Sequence, residues 1–210
     1  MRMDRAGLPF VALAGLPSIV AAVAGAVTAA LGLLVLPLAV ALFFRDPDRI
    51  SPQQAGLVLA PADGRVTFAG DARPLEAPAG AWRQVTVFLS LFDVHVNRAP
   101  AAGRVTRVEY RPGTFAPAYR RASSENERSE IWIDQDGLPV VTRQVVGVLA
   151  RRVVCRVRPG DVVSAGARIG LMKFGSRMDV FVPMSATLTV ATGQRVRGGE
   201  TIIARLARGA

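Results

Sequence analysis

Three short stretches of the sequence hold side chains that could take part in covalent chemistry. Asp63 lies in the turn Pro61–Gly64, directly after the apolar run Leu57–Ala60. His95, the only histidine of the chain, lies in the second stretch, Phe88–Arg98, and Ser176 ends the third stretch, Lys173–Ser176. A hydroxyl, an imidazole and a carboxylate are the residue types that nucleophilic catalysis combines. An Asp-Gly turn, one histidine or a Gly-Ser pair would each predict nothing alone, so the prediction depends on their combination.

An internal repeat places Ser176 between two matched halves of the chain. The pattern G-x-x-V-x-x-G-x-x-I occurs twice, at Gly160–Ile169 and Gly193–Ile202. Each copy predicts a glycine turn, a short strand and a second turn. The pattern resembles the half-repeats of lipoyl and biotinyl carrier domains, whose architecture is a barrel-sandwich. Residues 170–192, which include Ser176, join the two copies, and such a fold places its functional end in this segment.

The elements that must position these residues are predicted to be strands. Gln84–Leu89, Gly103–Tyr110 and Glu130–Asp134 are rich in β-branched and aromatic residues, mostly with a period of two. Asp136-Gly137 lies between two such runs and predicts a hairpin turn. Glycine and proline recur at short intervals, which argues against long helices. We therefore predict a mainly β (α+β) fold, in which a barrel-sandwich-like β domain with two half-repeats follows an N-terminal helical membrane segment.

The first part of the chain differs from the rest. Residues 10–44 contain no charged side chain, and this run is about twice as long as one membrane crossing needs. A hairpin of two short crossings or a re-entrant segment therefore fits better than one span, with breaks expected at Pro17, Pro37 and glycines. Basic residues on both sides favour cytoplasmic ends. We predict a short basic N-terminus at 1–9, an anchor at 10–44 and a soluble β-rich domain at 45–210.

The net charge of +10 restricts the class of partner. The basic residues are scattered singly among apolar strands and few aromatic residues accompany them, which disfavours nucleic-acid binding. Beside a membrane anchor, the charge favours contact with an anionic membrane surface. The single Cys155 excludes an intrachain disulfide and is predicted to be a small buried hydrophobe on a strand.

Taken in their order along the chain, these features resemble the short form of the phosphatidylserine decarboxylases. The apolar N-terminal segment is followed by the motifs that carry the resemblance, Phe43–Pro47, Ala60–Gly64, Asp93–Arg98, Glu125–Arg128 and Phe174–Ser176. Nearly the whole chain is covered. The resemblance implies a lyase of phospholipid biosynthesis that converts phosphatidylserine to phosphatidylethanolamine and CO₂, with its catalytic domain on the cytoplasmic side of the cell membrane.

The resemblance also implies that the chain is a zymogen that cleaves itself between Gly175 and Ser176. Ser176 would attack the carbonyl carbon of Gly175, and elimination would leave a pyruvoyl group at the start of the α chain, 176–210, separate from the β chain, 1–175. This covalent pyruvoyl group is the implied cofactor, and it acts through a Schiff base to the substrate amine as an electron sink. No metal is implied.

Two residues are implied as helpers of Ser176. His95 is the implied base, and Asp63 is the implied acid that orients the imidazole or stabilises its charge. The sequence leaves other carboxylates open for this second role, namely Asp93, Asp134 and Asp179.

Two departures from the family pattern limit what carries over. Longer members have a second histidine where this chain has Arg98, and they usually carry Leu-Gly-Ser-Thr where this chain has Phe-Gly-Ser-Arg. It is therefore open whether His95 serves maturation, decarboxylation or both. The residues predicted to contact the substrate phosphate are Arg98, Arg120 and Arg121.

A membrane-anchored biotinyl-like or lipoyl-like carrier or adaptor domain is the competing hypothesis. Lys173, the only lysine, lies between the half-repeats, where a carrier domain bears its modified lysine. Its flanks lack the acidic or small residues of biotinylated sites, and the carrier hypothesis leaves Asp63 and His95 without a role. The sequence also leaves open whether the enzyme is a homodimer.

Overall fold

Alternation of apolar and polar residues between glycine turns builds most of the molecule from strands. The computed structural model describes residues 2–73, 77–114, 126–147, 153–173 and 176–207. The chain divides into two compact units, Met1–Asp48 and Arg49–Ala210. Among the described residues, helices occur in the first unit and strands dominate the second, so the predicted mainly β class is confirmed.

The first unit is helical because an uncharged apolar run can satisfy its backbone hydrogen bonds within a helix. Its elements are β1 (Arg2–Met3), a 3₁₀ turn (Arg5–Gly7), α1 (Leu8–Val23), α2 (Val27–Leu33), α3 (Val35–Phe43) and β2 (Arg45–Asp46). The chain turns after α1 at Gly25, whose φ is +78°. Helix α1 packs on α2 and α3, and β1 pairs with β2, so the two ends of the unit meet. Pro17 lies inside α1 and does not end it.

The exterior of the first unit is apolar. Leu13, Val20 and Val23 of α1 are 66%, 66% and 86% exposed. Among the described residues, Arg5–Val23 is the one helix that is long and apolar enough to cross a membrane, and the apolar stretch Val27–Phe43 is shorter. This exterior is compatible with membrane association.

Short antiparallel strands build the second unit. They are β3 (Leu57–Leu59), β4 (Gly64–Asp71), β5 (Trp82–Leu89), β6 (Val96–Arg98), β7 (Gly103–Arg111), β8 (Arg128–Gln135), β9 (Leu138–Val145), β10 (Val153–Cys155), β11 (Val162–Val163), β12 (Arg168–Met172), β13 (Ser176–Pro183), β14 (Thr187–Leu188), β15 (Arg195–Val196) and β16 (Ile202–Arg205). An eight-stranded sheet has the order β11-β7-β8-β9-β13-β5-β4-β15. Two three-stranded sheets have the orders β10-β12-β6 and β14-β16-β3.

The strands predicted from alternation are found where expected. The runs at 84–89, 103–110 and 130–134 lie within β5, β7 and β8. Asp136-Gly137 joins β8 to β9 with φ values of 54° and 83°, as a two-residue hairpin turn requires. Cys155 lies on β10, as predicted, but it is half-buried.

The internal repeat supplies strands to both edges of the eight-stranded sheet. Strand β11 of the first copy pairs with β7 at one edge, and β15 of the second copy pairs with β4 at the other. The glycines that flank these strands all have positive φ, at Gly160, Gly166, Gly193 and Gly199. The two copies therefore make matched turns, which supports the predicted half-repeats, and the sheet between them is curled.

The core lies on the inner face of the curled sheet. Val87, Val105, Ile131 and Val180 come from four of its strands and are no more than 2% exposed. Side chains alternate between the faces of a strand. On β13, the inner face therefore carries Ser176 together with Met178 and Val180, while Arg177 and Asp179 face the other side.

We predict that Gly103→Ala destabilises the second unit by about 1–3 kcal/mol, the usual cost of forcing extra atoms into a packed site. A Cβ at Gly103 would collide with the carbonyl oxygen of Asp134, a backbone atom that cannot rotate away. Gly70→Ala is the matched control, because its Cβ would meet only the ring of Phe68, at 3.6 Å. Thermal unfolding of the two variants in detergent measures the difference, and an equal effect of both would contradict the prediction.

Candidate active site

Ser176 is the first residue of β13 and lies opposite Leu89 in the ladder with β5. Its side chain is fully buried on the inner face of the sheet. Among the described residues, its Oγ has no hydrogen-bond partner. Buried polar groups are normally paired, so an unpaired buried hydroxyl calls for an explanation such as reactivity.

His95 is also fully buried and directly precedes β6. Its ring nitrogen Nδ1 lies 2.9 Å from the carbonyl oxygen of Asp93. A carbonyl oxygen only accepts hydrogen bonds, so in the neutral ring Nδ1 carries the proton. The other nitrogen, Nε2, is then the basic atom of the ring. Because the ring is held this way, it can accept a proton at Nε2.

Backbone pairing brings His95 close to the segment that leads to Ser176. Strand β12 pairs with β6, and the N–H of Met172 at its end donates to the carbonyl oxygen of His95, at 3.3 Å. Residues 173–175 then join Met172 to Ser176. One end of this connection is therefore bonded to the backbone of His95, and the other end is Ser176.

A small apolar cluster holds the three stretches together. Its members are Ala62, Leu89, Met172 and Met178, each fully buried. Ala62 precedes Asp63, Met172 precedes the connection, and Met178 lies on the Ser176 face of β13. The stretches chosen from the sequence thus converge on one site, although they are far apart along the chain.

Asp63 lies beside this site but is committed to other partners. One carboxylate oxygen accepts from Arg49 Nη2 at 2.7 Å, and the other accepts from the N–H of Gly198 at 2.7 Å. Arg49 also pairs with Glu200 at 3.2 Å. Within the described part of the chain, the Asp63 carboxylate thus bonds to Arg49 and Gly198 and makes no hydrogen bond to His95.

The alternative carboxylates have other surroundings. Asp93 accepts from the N–H and Oγ of Ser90, at 2.8 and 2.6 Å, and its carbonyl, not its carboxylate, holds the imidazole. Asp179 faces the opposite side of β13, where it accepts from Thr86 at 2.9 Å. Asp134 is half-buried on β8, opposite Arg104.

Two residues next to His95 were missed by reasoning from the sequence. Asn97 Nδ2 donates to the His95 carbonyl at 3.3 Å, and Gln144 Nε2 donates to Asn97 Oδ1 at 2.7 Å. Gln144 is fully buried, and its Oε1 has no partner among the described residues. It lies opposite Met178 in the β9–β13 ladder, so it shares the inner face with Ser176. Gln144 is one of three polar residues in the segment Val141–Val146, so its amide becomes a signal only once this register is known.

Charged residues fill the opposite face of the sheet near the site. Asp179 pairs with Arg177 at 3.1 Å, and Arg143 pairs with Glu130 at 2.8 Å. Burial, and then the neighbouring Arg143, lower the pKa of Arg128. This packing of arginines explains part of the basic charge by contacts within the fold.

Of the three arginines predicted to contact the substrate phosphate, the structure describes one. Arg98 is 5% exposed, and its Nη1 donates to the carbonyl oxygen of Gly166 at 3.1 Å. Arg120 and Arg121 lie outside the described residues, as does Gly175. Lys173, the residue of the carrier hypothesis, is half-buried.

Two residues of the Glu125–Arg128 motif form hydrogen bonds to neighbouring segments of the chain. In the Glu125–Arg128 motif, Asn126 donates to the carbonyl oxygen of Val146 at 2.7 Å, and Glu127 accepts from the N–H of Val153 at 3.3 Å. These two residues therefore tie neighbouring segments together. Over the described ranges, no group of three His, Cys, Asp or Glu side chains is arranged to hold a metal ion.

Comparison with known proteins gives consistent matches. Residues 36–204 match the family model described as phosphatidylserine decarboxylase. A phosphatidylserine decarboxylase proenzyme of Mycolicibacterium gilvum is 44% identical over 97% of this chain and 89% of its own length. The proenzyme of Anaplasma phagocytophilum is 43% identical over 97% and 91%, and that of Granulibacter bethesdensis is 49% identical over 78% and 69%.

We predict that Arg49→Met lowers the free energy of unfolding by about 1–3 kcal/mol, because it leaves the largely buried Asp63 carboxylate without its cation and leaves Glu200 with only the exposed Arg197. Adding Asp63→Asn should restore part of the loss, since it removes one stranded charge. Arg107→Met is the control, because its pair with Glu109 is exposed and worth little. Denaturant unfolding of the four chains measures these differences, and a loss no larger than that of the control would contradict the prediction.

Proposed function

The chain belongs to the phosphatidylserine decarboxylase family, and from this premise we propose that it converts phosphatidylserine to phosphatidylethanolamine and CO₂. The observation that carries the proposal is the buried hydroxyl of Ser176, the first residue of β13. The connection to Ser176 starts at Met172, whose N–H donates to the carbonyl oxygen of His95. The word proenzyme in the names of the relatives supports a precursor that is processed into two chains. Ser176 is the residue at which we propose this processing.

Self-cleavage begins with the Ser176 hydroxyl. Nε2 of His95 takes the hydroxyl proton as Oγ attacks the carbonyl carbon of Gly175. The peptide bond then breaks, the nitrogen of Ser176 gains a proton, and an ester joins Gly175 to Oγ. Loss of the Cα proton breaks the bond between Cβ and Oγ, and this step releases the carboxylate of Gly175. The dehydroalanine left behind takes up one water and loses ammonia, so the α chain begins with a pyruvoyl group.

The residues around Ser176 fit such a group. When formed, it supplies the electron-withdrawing carbonyl that decarboxylation of an amino acid requires. Leu89, Met172 and Met178 give the site apolar walls that exclude water. The Oε1 of Gln144 is a buried acceptor on the same face, and it is suited to an N–H or ammonium donor of the substrate headgroup.

Asp63 is proposed to support the base by holding its turn in place. Its carboxylate and that of Glu200 share Arg49, and Glu200 also lies 3.9 Å from Arg197, so two carboxylates face two guanidinium groups. The bond from Gly198 to Asp63 also joins the turn at 61–64 to the second half-repeat.

The proposed substrate is a membrane lipid, and the chain has features suited to one. The apolar exterior of the first unit supports anchoring in the cell membrane, and basic residues before and after it support a cytoplasmic second unit. Arg98, Arg120 and Arg121 remain proposed contacts for the phosphodiester. Arg98 is buried and donates to the Gly166 carbonyl oxygen, so only the part of its guanidinium that this carbonyl does not cover could contact a ligand.

We predict that the denatured wild-type protein contains two chains, 1–175 and 176–210, the second with a blocked, ketone-bearing N-terminus. Intact mass spectrometry with a carbonyl-reactive probe measures both chains. Ser176→Ala should stay a single chain without decarboxylase activity, because it lacks the attacking oxygen.

The same measurement separates the carrier hypothesis from the proposal. A carrier domain would be one intact chain heavier by a biotinyl or lipoyl group, and Lys173→Arg would abolish that mass increase. Cleavage between residues 175 and 176 in the Ser176→Ala chain would contradict the mechanism.

We predict that His95→Gln slows self-cleavage by about 10²–10⁴-fold, the usual contribution of a general base. In the wild type, the cleavage rate should rise with pH as the neutral imidazole becomes populated, and this rise should vanish in the variant. Gel densitometry of freshly translated chains from pH 5 to 8 measures the rates. Asn97→Ala removes a contact with the backbone of His95 and the bond from Gln144, but it leaves the imidazole in the chain and should retain the pH dependence. An unchanged profile in His95→Gln would remove His95 from this role.

A further inference from the structure

A tight turn beside the site exposes two large apolar side chains. The Asp93 carboxylate accepts from the N–H and Oγ of Ser90, and the N–H of Asp93 donates to the Ser90 carbonyl at 3.1 Å. These bonds fix the turn and leave Leu91 and Phe92 at its tip, 48% and 85% exposed. The exposed Phe92 ring therefore belongs to a turn that several hydrogen bonds hold in place.

The position of this tip distinguishes it from other exposed apolar residues. Single exposed apolar side chains are common on protein surfaces and need no explanation. This pair, however, follows Leu89, which is the ladder partner of Ser176, and it precedes the buried His95 by three residues. The tip and the site are thus two parts of one continuous segment.

Two exposed arginines lie close to the turn that carries the tip. Arg195 is exposed and lies 3.8 Å from a carboxylate oxygen of Asp93. Arg65 on β4 is exposed too, and in the strand ladders it lies opposite Arg195 of β15 and Phe88 of β5. An apolar tip with a basic border matches a bilayer surface, where anionic headgroups lie above an apolar interior.

We propose that the tip formed by Leu91 and Phe92 inserts into the headgroup region of the bilayer and docks the site on the membrane that holds its substrate. This inference rests on the proposed function and adds to it the surface through which lipid is reached. The aromatic ring supplies the apolar contact, and Arg65 and Arg195 supply attraction to anionic headgroups. The chemistry at Ser176 does not depend on the tip, so the two can be tested separately.

The test compares one variant on two forms of the same substrate. Full-length, self-cleaved Phe92→Asp enzyme is assayed for CO₂ release on phosphatidylserine in phosphatidylcholine vesicles and on a short-chain phosphatidylserine dissolved as monomers. Because the aspartate removes the proposed apolar contact with the bilayer, the apparent KM on vesicles should rise about 10- to 100-fold. kcat/KM on the monomeric substrate, and the extent of self-cleavage, should stay within about twofold of the wild type.

Two matched variants complete the design. Phe92→Leu keeps an apolar side chain and should behave almost as the wild type on vesicles. Val162→Asp places the same charge at a 73% exposed apolar position on β11, and it should change neither assay.

Each other outcome overturns the inference. Equal losses on both substrates would make Phe92 part of the catalytic fold, and unchanged vesicle kinetics would mean that the tip does not dock. A wild-type enzyme that releases CO₂ from neither substrate would instead contradict the proposed function itself.

Discussion

The site depends on two backbone ladders that meet at one short connection. The β12–β6 ladder ends with the bond from Met172 to His95, and the β13–β5 ladder begins with Ser176 opposite Leu89. Because only residues 173–175 lie between them, hydrogen bonds in two different sheets fix both ends of the connection. The positions of the hydroxyl and the imidazole are thus set by backbone pairing, which side-chain substitutions disturb little.

Close approach of backbones at glycines makes this arrangement possible. A Cβ at Gly198 would lie 2.8 Å from Cα of Ala62, so the second half-repeat can pack on the Asp63 turn only without a side chain there. A Cβ at Gly170 would lie 2.7 Å from Nε2 of Gln144. Because Gly170 has no side chain, there is room for the Gln144 amide beside Asn97. Gly170 and Gly198, each next to a residue of the repeated pattern, therefore let the polar residues of the site come within bonding distance.

The fold was more predictable from the sequence than the site. Alternation and turn glycines are local signals, so β5, β7, β8 and the hairpin at Asp136-Gly137 could be predicted. The partners of Asp63 could not, because Arg49 lies 14 and Gly198 135 residues away, and both meet it only through tertiary packing. The role of Gln144 likewise depends on the β9–β13 register, which no local pattern specifies.

The burial of Ser176 suits the proposed self-cleavage better than it would suit ordinary hydrolysis. An ester between Gly175 and the serine oxygen can either eliminate or be hydrolysed, and only elimination leads to a ketone. Water near the ester would favour hydrolysis, which restores a serine and ends the process. Leu89, Met172 and Met178 keep the surroundings apolar, so the ester would be held away from bulk water.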